Sequence, residues 1–185
     1  MLSLFVVFNS EVFMSGNGIE KFINAVSFFD VFNEVEKHKF MSDQTCFVKF
    51  KQNDIIFKQG EQGDSLFLVL QGQVGLYRLG DINSVEGRVS LKKEVEKHIV
   101  NLKPGVIFGE ISMLTDSKRN VTAQIFSKEV VLMKISKKLI DNLNHLTQIK
   151  FHRQLLLSIA IHLDNMNSQF IDLKYEHDEY VKSHS

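Results

Sequence analysis

Glu110 and Arg119 stand nine residues apart in FGEISMLTDSKRNVTA, the stretch from Phe108 to Ala123. Gly109 has no side chain, so a ligand can approach its backbone. Ile111 to Leu114 can form one helical turn, and the free N–H groups at the start of such a turn attract an anion. Arg119 brings a planar fork that matches two phosphate oxygens. A carboxylate repels a phosphate, so Glu110 needs a different partner, and a sugar hydroxyl is the natural one. A ligand with a phosphate on one side of a ribose and a free hydroxyl on the other satisfies both residues. On spacing alone the simpler account is a surface Glu–Arg ion pair on a loop, worth under about 1 kcal/mol.

The surrounding elements read as helix, then many strands, then helices. From Ile19 to about Phe40, the apolar residues Phe22, Ile23, Val26, Phe29 and Val31 fit one helical face or two short helices. Alternation then sets in at CFVKFK, from Cys46 to Lys51. DIIFKQGEQGDSLFLVLQGQVGLYRL, Asp54 to Leu79, is punctuated by Gly60, Gly63 and Gly72, each at a place where a turn or close approach could need glycine. Strands separated by short Gly-bearing turns predict an antiparallel barrel or roll. GDINSVEGR, Gly80 to Arg88, reads as the tip of a long hairpin, and LKKEVEKHIVNL after it as a solvated strand or helix face. Pro104–Gly105 predicts a tight turn into the Phe108 stretch. NVTAQIFS and EVVLMKIS are two further strands. KKLIDNL and a long segment over residues 147–170 return to the helical pattern, and the polar residues 171–185 are expected to fray.

The whole chain narrows the function. Its 185 residues fit one domain with some added helices, at 44% hydrophobic and 24% charged. A formal net charge of zero argues against a nucleic-acid coat or a polybasic membrane binder. Cys46 is the only cysteine, which excludes an internal disulfide and suits a reducing cytoplasm. In its apparent strand it reads as core rather than nucleophile. No apolar run reaches the roughly 18 residues of a membrane span. The opening MLSLFVVFNSEVFMSG lacks a basic n-region and reads as an extension, residues 1–18, upstream of the domain. Seven scattered histidines form no metal-binding spacing, and no nucleophile motif is present. The expectation is therefore a protein with no catalytic residues, no metal and no cofactor.

Two segments carry a resemblance. Phe108, Gly109, Glu110, Ile111, Ser112, Met113 and Leu114, followed by Arg119, Asn120, Val121 and Thr122, resemble the phosphate-binding cassette of the cyclic nucleotide-binding domain family without a gap. Upstream, Gly60, Glu61, Gly63, Asp64 and Gly72 are similar to that family's strand–turn–strand signature. The family includes regulatory subunits of cyclic AMP-dependent protein kinase, catabolite activator proteins and nucleotide-gated channels. The likeness spans residues 19–170. It implies a mainly β fold, an eight-stranded jelly-roll-like (double-stranded β-helix) barrel with an N-terminal helix and two C-terminal helices.

The resemblance also implies roles. Glu110 would accept from the ribose 2′-hydroxyl and Arg119 would pair with the cyclic phosphate. Backbone groups near Gly109, Ser112 and Asn120 would complete the cradle, with Ile111 and Val121 beside them. Leu157 and Ile161 on the last helix would face the base. Asn120 and Val121 depart from the usual small pair after the arginine; cyclic AMP is favoured over cyclic GMP. About fifteen residues follow Phe170, too few for a helix-turn-helix, so the expected protein is a cytoplasmic sensor without its own output domain. Ile149, Leu156, Leu163 and Phe170, with His152, Ile159 and Met166, form a heptad stripe that predicts a homodimer, or a contact with an effector protein, through the last helix. The competing expectation is an interaction scaffold that keeps the barrel but binds no nucleotide in the cell.

Overall fold

The structure, a computed structural model, describes the backbone of residues 16–86 and 89–183, and the side chains of these apart from residues 16, 17, 44 and 81–94. Most of the extension over residues 1–18 lies outside the described residues. The chain forms two compact units that divide between Asn144 and His145.

The first unit opens with α1 (Gly16–Asn24) and α2 (Glu34–Met41), joined through a short 3-10 turn at Ser27–Phe29. The long helical stretch is thus two short helices. Asn33 starts α2 with a reciprocal cap: Asn33 Oδ1 accepts from the Glu36 amide and Glu36 Oε2 from the Asn33 amide, both at 2.9 Å. Such a pair satisfies two otherwise orphaned donors. Phe28, Phe29, Phe32 and Phe40 stack with centroids 5.2 to 6.1 Å apart and give these helices their own core.

Among the described residues eight strands follow, in two antiparallel four-stranded sheets. β1 (Phe47–Lys51), β8 (Glu129–Ser136), β3 (Ser65–Gln71) and β6 (Ile107–Phe108) form one, in the order β1-β8-β3-β6. β2 (Ile55–Phe57), β7 (Thr122–Ile125), β4 (Val74–Glu86) and β5 (Val89–Leu102) form the other, in the order β2-β7-β4-β5. This is the expected mainly β, jelly-roll-like class. Inward residues of both sheets meet in one core, including Phe57, Phe67, Val69, Val74, Phe108, Ile125 and Leu132. The rings of Phe57, Phe67 and Phe108 lie 5.4 to 5.9 Å apart. Phe108 directly precedes Gly109, so this aromatic trio fixes the point where the Glu110 stretch leaves the barrel. Cys46 is buried at the end of a 3-10 turn just before β1, one residue outside the expected strand.

Two expectations need correction. The long hairpin is present, but Gly80 to Glu86 is not part of its turn. It is paired strand, with Gly80 opposite Val95 and Glu86 opposite Val89; residues 87 and 88 lie outside the described set. Main-chain pairing overrides the polar, turn-like composition here, because the ladder satisfies the backbone.

The second correction concerns the tail. α4 (Lys137–Asp141) closes the first unit. The second unit is α5 (His145–Ser183), a single helix of 39 residues that runs through residues 171–183. IDLKYEHDEYVKS is polar but contains no Gly or Pro to stop a helix. Within α5, Phe151 and Leu155 are buried, while Leu156, Leu157, Ile161, Leu163, Met166 and Phe170 are exposed. Among the described residues, no helix is long and apolar enough to cross a membrane.

Candidate functional site

β6 delivers Gly109 to the rim of the barrel. Gly109 adopts the left-handed conformation, φ +76°, and turns the chain into α3 (Glu110–Leu114). A Cβ there would lie 2.7 Å from Arg119 Nη1. Only glycine therefore meets both the backbone and the space requirement.

The segment bearing Arg119 is pinned to the turn before β3. The Arg119 amide donates to the Glu61 carbonyl at 2.7 Å, and the Gly60 amide donates to the Arg119 carbonyl at 2.8 Å. Gln62 and Lys118 form a bridge alongside. The upstream signature and the cassette, more than fifty residues apart in sequence, are thus one structure.

Arg119 is 5% exposed. Nη1 donates to the Gly109 carbonyl and to Ser112 Oγ, both at 2.6 Å, and Nη2 donates to the Ser65 carbonyl at 2.7 Å. The Phe57 ring lies under the guanidinium, its centroid 4.2 Å from Cζ. Burial lowers the guanidinium's pKa below its ordinary value, while Asp64, Glu61 and Glu110 oppose that shift through their charge. Three of the five N–H donors are used. Nε is buried and has no hydrogen-bond partner. An unmet donor on a buried cation is costly, and an oxyanion is the natural acceptor for it. Arg119 also borders a cavity of about 130 Å³, walled by Phe57, Phe67, Val48 and Phe50, with Asp64 and Lys134 also lining it.

This geometry is not a surface ion pair. Glu110 is half-buried at the first turn of α3 and acts on Arg119 through its charge. Ser112 is buried and bonded to the guanidinium. Val121 packs against the barrel core, whereas Ile111 and Asn120 are exposed. The structure therefore gathers Gly109, Glu110, Ser112 and Arg119 around one point, with Ile111, Asn120 and Val121 flanking them. Leu157 and Ile161 belong to the second unit and are exposed on α5. Among the described residues no group of three or more His, Cys, Asp or Glu could hold a metal ion.

Sequence reasoning marked Gly63 as a signature glycine without giving it a role in the site, and it missed Phe57 and the Ser65 carbonyl. A Cβ on Gly63 would fall 2.2 Å from Ser112 Oγ and 3.0 Å from Arg119 Cζ, so this glycine is the notch into which the guanidinium fits. QGDS gave a signal for it, as a glycine at a turn. Phe57 and the Ser65 carbonyl gave none: one is an ordinary core aromatic, the other a backbone atom with no side-chain signature.

The family described as cyclic nucleotide-binding domain matches residues 47–144, which contain this entire arrangement. The chain is 35% identical over 115 residues to a cGMP-dependent protein kinase of Plasmodium berghei, covering 62% of this chain and 11% of that protein. It is 30% identical over 106 residues to a cAMP-dependent protein kinase regulatory subunit of Dictyostelium discoideum, covering 56% of this chain and 29% of the relative. The chain thus spans less than a third of the length of either. Among solved structures, a cyclic nucleotide-binding domain of Methylobacillus flagellatus shares the fold with a TM-score of 0.63 at 18% identity, over 82% of this chain and 79% of that one. The catabolite activator protein of Thermus thermophilus does so with a TM-score of 0.56 at 24% identity, over 80% and 63%. These two likenesses concern the fold alone.

Proposed function

This chain belongs to the cyclic nucleotide-binding domain family, and we propose that it is a receptor whose cassette takes the cyclic phosphate on Arg119 and the ribose 2′-hydroxyl on Glu110. The observation that carries this reading is the buried Arg119 Nε without a partner, in a guanidinium otherwise held by three hydrogen bonds. A cyclic phosphate supplies the missing acceptor and a counter-charge together. A scaffold that never met such a ligand would gain nothing from burying an incompletely satisfied cation.

The cassette reads phosphate and ribose, which cyclic AMP and cyclic GMP share. The relatives are of both kinds, so Asn120 alone does not decide the base. We further infer a regulatory role without catalysis, in the cytoplasm, in which α5 responds to nucleotide and its exposed apolar stripe meets a twin helix or an effector.

Titration calorimetry with cyclic AMP and cyclic GMP tests the function. The expected result is saturable binding of at least one of them at one site per chain, with linear 5′-AMP and 5′-GMP binding far more weakly. If neither cyclic nucleotide produces heat or raises the melting temperature at millimolar concentration, the scaffold reading replaces this one.

A further inference from the structure

A cavity of about 130 Å³ borders Arg119, and among the described residues Arg119 is all that it shares with the cassette. β1 contributes Val48 and Phe50 to its wall, β2 Ile56 and Phe57, and β3 Phe67; no described lining residue comes from α3, β4, β5 or β6. Lys134 enters from β8. Val130 and Leu132 pack in the core, and alternation puts Lys134 on the same inward face, with Phe67 across the ladder. The strand pattern calls for an apolar residue there. A charge that breaks the local pattern is a mark of a functional site.

The charges around this cavity are sorted by depth. Arg119 is buried and Lys134 half-buried, whereas Glu61, Gln62 and Asp64 are exposed and form its mouth. Glu61 and Asp64 act on Arg119 through charge, and neither has an ion-pair partner among the described residues. A ligand of one sign meets one matching pair and one opposing pair. An anion is repelled by Glu61 and Asp64 as it enters. A cation ends beside Arg119 and Lys134, where burial makes repulsion costly. A zwitterion satisfies both signs, with its carboxylate innermost and its ammonium at the mouth. Val48, Phe50 and Ile56 offer an aliphatic body an apolar wall. The volume is close to the roughly 150 Å³ that holds benzene, which sets the ligand at about six to eight non-hydrogen atoms.

We propose that this cavity is a second binding site, for a free α-amino acid with a small aliphatic side chain, in the size range from alanine to valine. Lys134 and Arg119 supply the positive charge for its carboxylate, and Asp64 and Glu61 the negative charge for its ammonium. The end of a peptide does not meet this requirement: a C-terminus lacks the ammonium and an N-terminus lacks the carboxylate. The inference goes beyond the cyclic-nucleotide reading and does not rest on it.

Calorimetry on the full chain with L-valine, L-valinamide and isovalerate tests this. Valinamide keeps the ammonium and loses the carboxylate, and isovalerate does the reverse. Valine should bind saturably with a Kd on the order of 1 mM or tighter and raise the melting temperature. Each analogue should bind at least about tenfold more weakly. Lys134→Met keeps the length and apolar stem of the side chain but removes the inner charge. It should weaken valine about tenfold or more and leave cyclic-nucleotide affinity within about threefold. Should Lys134→Met fail to fold, the three ligands on the wild type decide the matter alone. No heat from alanine or valine at concentrations on the order of 10 mM, equal binding of isovalerate and valine, or unchanged valine affinity in folded Lys134→Met would overturn the assignment. Each of these outcomes leaves the cassette untouched, since its own test is the cyclic-nucleotide titration.

Discussion

Ser112 Oγ accepts from Arg119 Nη1 at 2.6 Å and donates to the Gly109 carbonyl at 3.1 Å, so one buried hydroxyl ties the guanidinium to the first turn of α3. Ser112→Ala removes the acceptor and leaves an Nη1 proton without a partner. A buried donor left unsatisfied costs about 1–3 kcal/mol. Urea denaturation without ligand should show a loss of that size. No change in the midpoint would mean that water replaces the hydroxyl.

Gly63→Ala should disturb the same contact by steric pressure. The added Cβ would sit 2.2 Å from Ser112 Oγ and 2.6 Å from Ser112 Cβ, closer than real atoms approach. Overpacking of this kind costs about 1–3 kcal/mol. Arg119 must shift with Ser112, so nucleotide affinity should fall as well. In a Ser112→Gly background both clashing atoms are gone, and Gly63→Ala should then cost clearly less than in the wild type. Strict additivity in that double-mutant cycle would show that the notch does not act through Ser112.

Arg119 should dominate nucleotide affinity. Truncating one partner of a buried, hydrogen-bonded charge pair costs on the order of 2–5 kcal/mol, or roughly thirtyfold to several-thousandfold in Kd. Arg119→Lys keeps the charge but cannot reach Gly109, Ser112 and Ser65 together, so it too should bind weakly. Glu110→Gln should cost less, since an amide oxygen still accepts from a hydroxyl. Wild-type affinity in Arg119→Ala, measured by calorimetry, would show that the phosphate lies elsewhere.

The clustering of the candidate site's residues was largely legible because its requirements fall on residue types. A glycine at a left-handed position, a carboxylate and an arginine at fixed spacing leave a pattern in Gly109, Glu110 and Arg119. The barrel was legible from alternation in segments such as EVVLMKIS, where β8 buries Val130 and Leu132. What stayed hidden depends on partners. Gly80–Glu86 becomes strand because Val89–Val95 runs beside it. Phe57 becomes a platform because the fold brings Arg119 over it.

Cys46 provides a test of the burial at the start of β1. Burial pushes its thiol up to about 11, with the charge of Asp43 adding to the effect. A folded value above the unfolded one means the stabilising contribution is complete below about pH 8.5, the ordinary thiol value. It is then lost as pH rises through about 11. Between those values, the wild type should lose stability faster than Cys46→Ala, and alkylation at pH 8 should be slow in the native protein. Parallel stability curves for the two proteins would place the thiol in a more polar setting.

The exposed stripe of α5 leads to the last test. Leu156, Leu163 and Phe170 are 66%, 58% and 68% exposed and recur every seven residues, with Met166 also exposed in the same stripe. Phe151 and Leu155 fill a different, buried position of the helix. Large apolar side chains in heptad register are the pattern of a helix that covers them with another helix. Water on such a seam is a cost that association removes, at about 25 cal/mol per Å² of apolar surface. Polar residues between the apolar ones, such as Asp164, Asn165 and Ser168, keep the seam narrow. Leu156→Glu combined with Leu163→Glu would bring carboxylates of two helices together. Both positions are exposed in the single chain, so the double variant should fold with an unchanged melting temperature when dilute. Sedimentation at micromolar concentration should give a dimer for the wild type and a monomer for the variant. A wild type that sediments as a monomer both with and without cyclic nucleotide would exclude the twin helix and leave an effector protein as the partner of this face.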